Sequence, residues 1–205
     1  FANITFVETT DVASAEIAFG TANLGSAYGA WAYMPTLTDD RGGDVWINNY
    51  YGSNQWPNPG NFAYNTFVHE IGHAIGLRHP GDYDVSGGTG ESYLPDGEDT
   101  QQYTVMSYTD HADMAPTRAQ TMMLYDIATI QHLYGANMNH ATGDDIYDFS
   151  TAHKLVSTIW DAGGYDTFSV AGASSAELLD LRDGEFSSVG TYGYGNAANN
   201  VAIAY

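Results

Sequence analysis

The 205-residue sequence contains no cysteine, few basic residues and no long apolar run. Without cysteine, neither a disulfide framework nor a thiolate metal site is available, so stability must come from an apolar core and from metals held by other ligands. A chain of this length can bury roughly 70% of its unfolded surface, which is enough for one domain with a real core. No apolar stretch approaches the roughly 20 residues that cross a bilayer, and the first residues do not form the charged and apolar regions of a signal peptide.

Basic side chains are scarce relative to acidic ones. Five lysines and arginines stand against 25 aspartates and glutamates, which gives a formal net charge of −20. This balance argues against binding of nucleic acid or of an anionic membrane surface, because both carry negative charge. It favours divalent cations, although most of the carboxylates, taken singly, are expected to be solvated surface groups.

Residues 67–80 read FVHEIGHAIGLRHP and carry the strongest functional pattern in the chain. His69 and His73 are four residues apart, so on a helix their side chains lie on one face and can share a metal ion. Glu70 lies between them, where its carboxylate can reach a water activated by the metal without filling a coordination position. That placement suits a general base.

Gly76 follows the second histidine by three residues and is expected to end the helix. A glycine adopts positive φ at a helix C-terminus without a steric penalty, so the chain can turn sharply and bring His79 back as a third nitrogen ligand. Three protein ligands leave one coordination position open, as in catalytic zinc sites. The alternative is a core helix that contains histidines by chance, which this combination of residues at fixed spacing makes improbable.

The stretch from His69 to His79 resembles the long motif HExxHxxGxxH of the metzincin zinc peptidases at all five fixed positions. Within that clan it is most similar to the serralysin family, because Pro80 follows the third histidine in HPGDY and because the later segment IQHLYGAN is also serralysin-like. The resemblance implies an α+β fold of the metzincin catalytic type. Its expected parts are a twisted, mostly parallel sheet with an antiparallel edge strand, an active-site helix, a Met-turn, a third helix and a short β-rich C-terminal segment.

Four short segments rich in β-branched and aromatic residues are predicted to be strands. They are residues 4–7, 15–19, 30–34 and 44–47. By the resemblance, the segment from Tyr28 to Met34 is the antiparallel edge strand above the cleft. A free edge offers unpaired backbone groups, so a protein or peptide substrate is expected to bind there by strand addition.

Two helices and the turn between them complete the predicted catalytic part. The active-site helix is expected to open at residues 61–66 and to run to about Leu77, and the third helix covers residues 120–134 and ends at Gly135. Residues 104–109, TVMSYT, resemble the serralysin Met-turn. By that resemblance Met106 forms an apolar floor beneath the zinc, and the hydroxyl of Tyr108 approaches the metal and the developing oxyanion.

Other parts of the chain are assigned no chemistry. Residues 81–102 are rich in Gly, Asp and Glu without apolar periodicity, and we expect a long surface loop that forms a wall or lid of the cleft. Four further histidines lack metal-ligand spacing and are interpreted as surface or hydrogen-bonded side chains. They are His111, His132, His140 and His153.

After Gly135 the composition shifts to Asp, Gly and Ser, and the resemblance implies structural calcium there. Residues 141–145 and 160–166 are similar to two serralysin segments that hold calcium at the junction with a β-roll. Oxygen ligands from glycine-rich turns and aspartates suit this hard cation. The ligands implied are the carbonyls of Ala141, Gly143 and Gly163 and the carboxylates of Asp145, Asp161 and Asp166. Two acidic turns without an ion are the alternative.

The resemblance also sets the expected domain organisation. Residues 1–135 correspond to the catalytic domain, without the strand and long helix that precede it in the family, and residues 136–205 correspond to the junction with a β-roll whose GGxGxDxUx repeats are not found in this sequence. We expect a fragment of a longer protein, with the missing elements supplied by another chain or a trimmed domain as alternatives. A monomer is expected otherwise.

The function expected from these patterns is a zinc-dependent endopeptidase, secreted by a bacterium as serralysins are. His69, His73 and His79 hold the zinc, Glu70 takes the proton of the attacking water, and Tyr108 assists the oxyanion. The alternatives are a noncatalytic zinc and calcium module, structural or adhesive, and another metzincin family with the same chemistry. Glu70 beside an open coordination position argues against the noncatalytic module, because a structural metal site does not need such a carboxylate.

Overall fold

The computed structural model describes residues 1–83 and 91–205, with Val12 described for its backbone only, and combines helices with short strands. The helices are α1 (Phe62–Ala74) and α2 (Leu124–Tyr134), and short 3-10 turns lie at Val12–Ser14 and Gly52–Gln55. The strands are β1 (Phe19–Ala22), β2 (Ala30–Ala32), β3 (Val45–Asn48), β4 (Ile146–Asp148), β5 (Ser157–Ile159), β6 (Thr167–Ser169), β7 (Phe186–Ser187), β8 (Thr191–Tyr192), β9 (Gly195–Asn196) and β10 (Val201–Ile203). The predicted mixture of α and β structure is therefore confirmed.

A three-stranded sheet in the order β1-β3-β2 packs against α1. Strand β1 runs parallel to β3, whereas β2 runs antiparallel to β3 and lies at the edge. In β3 the side chains of Val45 and Ile47 are buried while Trp46 between them is partly exposed, as the period of two in a strand requires. The predicted antiparallel edge is confirmed, and parallel pairing is found for β1 with β3.

The prediction of a strand at residues 4–7 is wrong. This segment forms no ladder with any described residue, and Phe6 and Val7 are exposed. The chain is instead tied to the end of α2, where the Asn3 N–H donates to the Gly135 carbonyl at 2.9 Å. A run of β-branched and aromatic residues becomes a strand only when a partner strand lies beside it, and the sequence pattern does not supply that partner.

The other predicted strands occur with shifted boundaries. The second begins at Phe19, the last residue of the predicted segment 15–19, and continues to Ala22. The edge strand covers Ala30–Ala32, shorter than the predicted 30–34, and the fourth covers Val45–Asn48 rather than 44–47. These differences of a few residues arise because the paired backbone, rather than side-chain type, sets the ends of a strand.

The apolar core forms three clusters. Beneath α1, buried Ala30, Val45, Ile47 and Ala74 join the helix to the sheet. The largest cluster surrounds α2 and includes side chains from both sides of Gly135. Its buried members are Ala2, Ile75, Leu77, Val105, Met106, Met114, Ala119, Met122, Met123, Leu124, Ile127, Ile130, Val156, Ala197, Ala202 and Ala204. The domain boundary near Gly135 stays a prediction.

The last 70 residues are rich in short strands, as expected. Strand β10 pairs parallel with β5 and antiparallel with β7, β4 pairs parallel with β6, and β8 pairs antiparallel with β9. A third cluster, formed by buried Phe149, Val189 and Val201, supports this segment. In residues 1–83 and 91–205, neither helix has the length and apolar character needed to cross a membrane.

Candidate metal centre

Helix α1 places the histidines of the HExxH pattern on one rigid element. The side chain of Asn61 accepts a hydrogen bond from the Tyr64 N–H at 2.8 Å and caps the helix, which begins at Phe62 within the predicted window. One helical turn separates His69 and His73, and the two rings have centroids 4.8 Å apart. The four-residue spacing therefore places both imidazole rings on the same face of α1.

The end of α1 turns the chain back toward the histidines. Gly76 has φ of 108°, a conformation that favours glycine, and the helix ends at Ala74, three residues before the predicted Leu77. The Leu77 N–H donates to the Gly72 carbonyl at 2.8 Å and the Gly76 N–H donates to the His73 carbonyl at 2.9 Å. This pair of bonds closes the helix in a Schellman motif and redirects the chain toward His79.

Three imidazole nitrogens converge where the sequence predicted a zinc site. The Nε2 atom of His79 lies 3.2 Å from Nε2 of His69 and 3.2 Å from Nε2 of His73. Zinc–nitrogen bonds of about 2.0–2.1 Å in tetrahedral geometry separate two ligand nitrogens by about 3.3 Å. The spacing therefore fits one zinc ion bound by all three rings.

The opposite nitrogens of two rings are fixed by backbone carbonyls. Nδ1 of His69 lies 2.8 Å from the Val105 carbonyl oxygen, and Nδ1 of His73 lies 2.8 Å from the Leu77 carbonyl oxygen. A carbonyl only accepts hydrogen bonds, so each Nδ1 carries the proton and each Nε2 presents a lone pair. Nitrogen lone pairs that face one another across 3.2 Å suit a bound cation, so the tautomers, like the spacing, fit zinc.

Burial shifts the pKa values of two of these groups. Burial, with smaller contributions from the neighbouring histidines, lowers the pKa of His69 to about 3, so the ring is neutral as a metal ligand must be. Burial raises the pKa of Glu70 to about 7, and its side chain is only 7% exposed. A carboxylate with a pKa near neutral is a more effective proton acceptor than an exposed one.

Met106 lies under the helix that carries the ligands, as the Met-turn resemblance implied. It is 1% exposed, and a Cβ atom added at Gly72 would lie 2.7 Å from its sulfur. A glycine inside a helix normally costs about 1 kcal/mol relative to alanine. Here the close approach of the thioether to the helix backbone, next to His73, explains why glycine occupies position 72.

Two tyrosine rings border the third ligand. The Tyr108 ring, 60% exposed, has its centroid 4.7 Å from that of His79 and is stacked against His69 at 5.7 Å. Tyr83 stacks on His79 at 5.5 Å, and its hydroxyl donates to the Asp99 carboxylate at 3.1 Å. The sequence pointed to Tyr108 but assigned Tyr83 no role, although Tyr83 is the last residue of the HPGDY segment.

A cleft of about 370 Å³ joins the histidines to the edge strand. Its walls are formed by Tyr28, Ala30, Trp31, Ala32, Met34, His69, Glu70, His73, Arg78, His79, Gly81, Asp82, Tyr93 and Tyr108. Asp82 and Tyr93 belong to the loop that was predicted to wall the cleft. Residues 84–90 of that loop lie outside the described residues.

The side chain of Asn48 holds the chain segment that leads into β2. Its amide nitrogen donates to the carbonyls of Gly25 and Tyr28 at 2.8 and 2.5 Å, and its oxygen accepts from the Leu24 N–H at 3.0 Å. Asn48 is fully buried at the end of β3. The position of the edge strand beside the histidines is thus fixed from the neighbouring strand.

The three aspartates predicted to bind calcium come together. Asp145, Asp161 and Asp166 each offer a carboxylate oxygen within 4.8 Å of the others. The Asp145 N–H also donates to the Asp166 carboxylate at 2.9 Å. Acidic clusters of this kind occur without an ion, so the aspartates alone do not identify a calcium site.

The glycine-rich turns around these aspartates bring residues 143 and 164 close together and contain residues with positive φ. A Cβ atom at Gly164 would lie 1.8 Å from the Gly143 carbonyl oxygen, so the two segments meet closely there. Gly163 has φ of 149° and Ala141 has φ of 48°. The carbonyls of Ala141, Gly143 and Gly163 as calcium ligands stay a prediction.

The remaining histidines behave as interpreted. His111 is fully buried and its Nε2 lies 2.9 Å from the Asn199 carbonyl oxygen, whereas His132, His140 and His153 are exposed. Among the described residues, none of these four belongs to a group that could hold a metal.

Sequence reasoning missed one buried acid near the centre. Asp126 is 2% exposed and accepts hydrogen bonds from Thr104 and from the backbone of Val105 and Met123. It occupies the third position of α2, where an acidic residue is a capping signal. Sequence analysis did not recognise this capping position because it placed the start of the helix at residue 120, four residues before the observed start.

Comparison with known proteins gives two family models and several curated relatives. The model described as "Peptidase M10 serralysin C terminal" matches residues 124–205, and "Metallo-peptidase family M12B Reprolysin-like" matches residues 41–136. The chain is similar to "Serralysin" of Proteus mirabilis, with 38% identity over 98% of this chain and 44% of the relative.

Two further relatives give the same result. "Serralysin G" of Dickeya chrysanthemi is 39% identical over 92% of this chain and 44% of the relative. "Metalloprotease AprA" of Pseudomonas entomophila is 34% identical over 99% of this chain and 46% of the relative. The chain thus spans less than half the length of these curated relatives.

Proposed function

This chain belongs to the serralysin family of metallopeptidases, and we propose that it is a secreted zinc-dependent endopeptidase that hydrolyses peptide bonds of proteins. One observation carries the proposal. The Nε2 atoms of His69, His73 and His79 converge at 3.2 Å in a cleft that also contains the buried carboxylate of Glu70 and the edge strand.

The three histidines would hold the zinc through Nε2, and a zinc ion in that place supplies Lewis acidity that acidifies water and polarises a carbonyl group. Glu70 accepts the proton of the attacking water and then delivers it to the nitrogen of the departing amine. The hydroxyl of Tyr108 donates to the oxygen of the reacting carbonyl as negative charge develops there. Glu70 is buried at the cleft, and this burial raises the pKa of its carboxyl group.

The substrate backbone is proposed to pair with β2. The Gly29 carbonyl accepts from the Asn48 N–H in β3, and the Tyr33 N–H donates to the carbonyl of Asp44, the residue directly before β3. Backbone groups alternate in direction along an antiparallel strand. The N–H and carbonyl groups of Ala30 and Ala32 therefore point away from β3, on the open side of the sheet. An extended peptide that adds as a further strand meets these groups while its scissile bond lies near the histidines.

Calcium is proposed as a second, structural metal. Asp145, Asp161 and Asp166 supply oxygen ligands of the kind that calcium prefers, and the turns at Gly143 and Gly163 bring backbone carbonyls to the same segment pair. The ion would hold the loop before β4 against the loop before β6. Its role is to fix the C-terminal segment rather than to take part in chemistry.

A noncatalytic zinc and calcium module is the other candidate. No observation favours it, because a site kept only for structure gains nothing from a buried carboxylate of raised pKa beside its metal ligands. A structural zinc site is also usually closed by four protein ligands, and the described histidine group has three.

The test is hydrolysis of quenched fluorescent casein before and after zinc chelation, with zinc then restored in the presence of calcium. We expect the activity to disappear with the chelator and to return with zinc. His73→Gln should remove both bound zinc and activity, and His132→Gln, the same change at an exposed position, should keep both. Bound zinc without any hydrolysis would contradict the proposed function and favour the noncatalytic module.

A further inference from the structure

Asp126 is a buried carboxylate that the proposed chemistry does not use. It is 2% exposed at the start of α2 and accepts three hydrogen bonds, from the Thr104 hydroxyl at 2.6 Å, the Val105 N–H at 2.8 Å and the Met123 N–H at 2.8 Å. Burial of a carboxylate is costly unless donors of this kind surround it. Of the three donors, the Thr104 hydroxyl connects Asp126 to His69.

The connection is a chain of hydrogen bonds that starts at His69. The Nδ1–H of His69 donates to the Val105 carbonyl at 2.8 Å. That carbonyl and the Met106 N–H belong to one peptide unit, and the N–H donates to the Thr104 hydroxyl oxygen at 3.0 Å. The Thr104 hydroxyl in turn donates to Asp126 at 2.6 Å. In each of these hydrogen bonds the donor lies on the His69 side and the acceptor on the Asp126 side.

Hydrogen bonds that run in one direction polarise each other, and the low dielectric of a buried site strengthens the effect. Negative charge at Asp126 makes the Thr104 oxygen a better acceptor, which makes the 105–106 peptide a better acceptor for the His69 proton. The imidazole then carries more electron density at Nε2. Metal-bound histidines commonly gain orientation and basicity from a carboxylate or carbonyl in this manner.

We propose that Asp126 is a positioning residue for the zinc site, which fixes and polarises His69 through Thr104 and the 105–106 peptide. The proposal rests on the proposed function in one respect, since it assumes that His69 is a zinc ligand. It also gives the Met-turn a second task. Besides placing Met106 beneath α1, the turn carries the polarising chain from the α2 N-terminus to the ligand.

The test is zinc affinity, measured by competition with a chromophoric chelator on the folded protein. Thr104→Val keeps the shape of the side chain but removes the hydroxyl, and we expect the dissociation constant for zinc to rise about tenfold, the lower end of effects seen when outer partners of ligands are changed. Thr104→Ser restores the hydroxyl and should restore the affinity. Thr158→Val is the matched control, because Thr158 is 3% exposed in the same core but its hydroxyl contacts Met123 rather than the chain to His69.

Equal zinc affinities for Thr104→Val and Thr158→Val would overturn the proposal while leaving the zinc site intact. Failure of the unaltered protein to bind zinc through the three histidines would overturn both this proposal and the proposed function. Should Thr104→Val fail to fold, Thr104→Ala removes the same hydroxyl from a smaller side chain, with Thr158→Ala as its control. The tautomer of His69, which the Val105 carbonyl already fixes, is only a check on the first bond. A weaker zinc affinity than that of the control supports the chain, and an equal affinity contradicts it.

Discussion

Replacing Glu70 with glutamine separates the chemistry of the site from its metal binding. Glutamine keeps the size and the hydrogen-bonding oxygen of the side chain, but it cannot accept a proton from water. Glu70 is 7% exposed, and burial raises the pKa of its carboxyl group to about 7. In the proposed mechanism, the substitution removes both the acceptor of the water proton and the group that carries this proton to the amine.

The expected loss follows from these two tasks. A positioned acid or base contributes about 10²- to 10⁴-fold, and a group that acts in two steps belongs in the upper part of that range. We expect kcat/KM of Glu70→Gln to fall about 10³- to 10⁴-fold, equivalent to about 4–5.5 kcal/mol of lost transition-state stabilisation. Zinc binding should change little, because the Glu70 carboxylate is not among the three converging ligand atoms.

The assay is initial-rate hydrolysis of a quenched fluorescent protein substrate, with zinc content measured by mass spectrometry on the same samples. Glu16→Gln makes the same chemical change at an exposed position and should leave both readings unaltered. A Glu70→Gln protein that contains one zinc and retains near-normal kcat/KM would refute the role of Glu70. A variant that loses zinc would instead show that the carboxylate supports the metal site.

Three further predictions concern the rest of the cleft and the calcium site. Tyr108→Phe should lower kcat about 10²-fold, as loss of one oxyanion donor does elsewhere, with a smaller change in KM, and an unchanged kcat would remove Tyr108 from the mechanism. Ala32→Pro removes one N–H of β2 that points away from β3 and none that bonds to it, so kcat/KM for peptides should fall about fivefold while the unfolding temperature changes little. Unaltered peptide kinetics would argue against strand addition. Calcium at a concentration about 100-fold above its dissociation constant should raise the free energy of unfolding by about 2.7 kcal/mol, and Asp161→Asn should reduce that gain. Equal gains in the variant and in the unaltered protein would exclude Asp161 as a ligand.

Local sequence rules were most successful where the structure is local. The spacing of His69 and His73 on a helix, the positive φ of Gly76 and the return of His79 depend on residues within eleven positions of one another. Helical periodicity and glycine conformation are properties of the chain itself, so they could be read before any fold was known. The burial of Met106 beneath this motif came from the family resemblance, because no local rule brings residue 106 under residue 72.

Predictions that needed a distant partner were less accurate. Residues 4–7 have strand-like composition, but the sequence does not say that the chain there is tied to Gly135 rather than to a neighbouring strand. Both bounds of β1, the end of β2 and the start of α2 differ from prediction for the same reason. Propensity is a weak preference, and the backbone hydrogen bonds of tertiary neighbours override it.

The sequence by itself determined the donor set, since three histidines and one glutamate at these spacings suit few other purposes than a catalytic metal. Only the tertiary structure decided how those donors are held. The carbonyls of Val105 and Leu77 that fix two imidazoles, and the Asp126 carboxylate behind Thr104, have no pattern along the chain that links them to the ligands. Hydrogen bonds to backbone groups place no demand on residue type at the acceptor, so they leave no trace in the sequence and become visible only when the chain is folded.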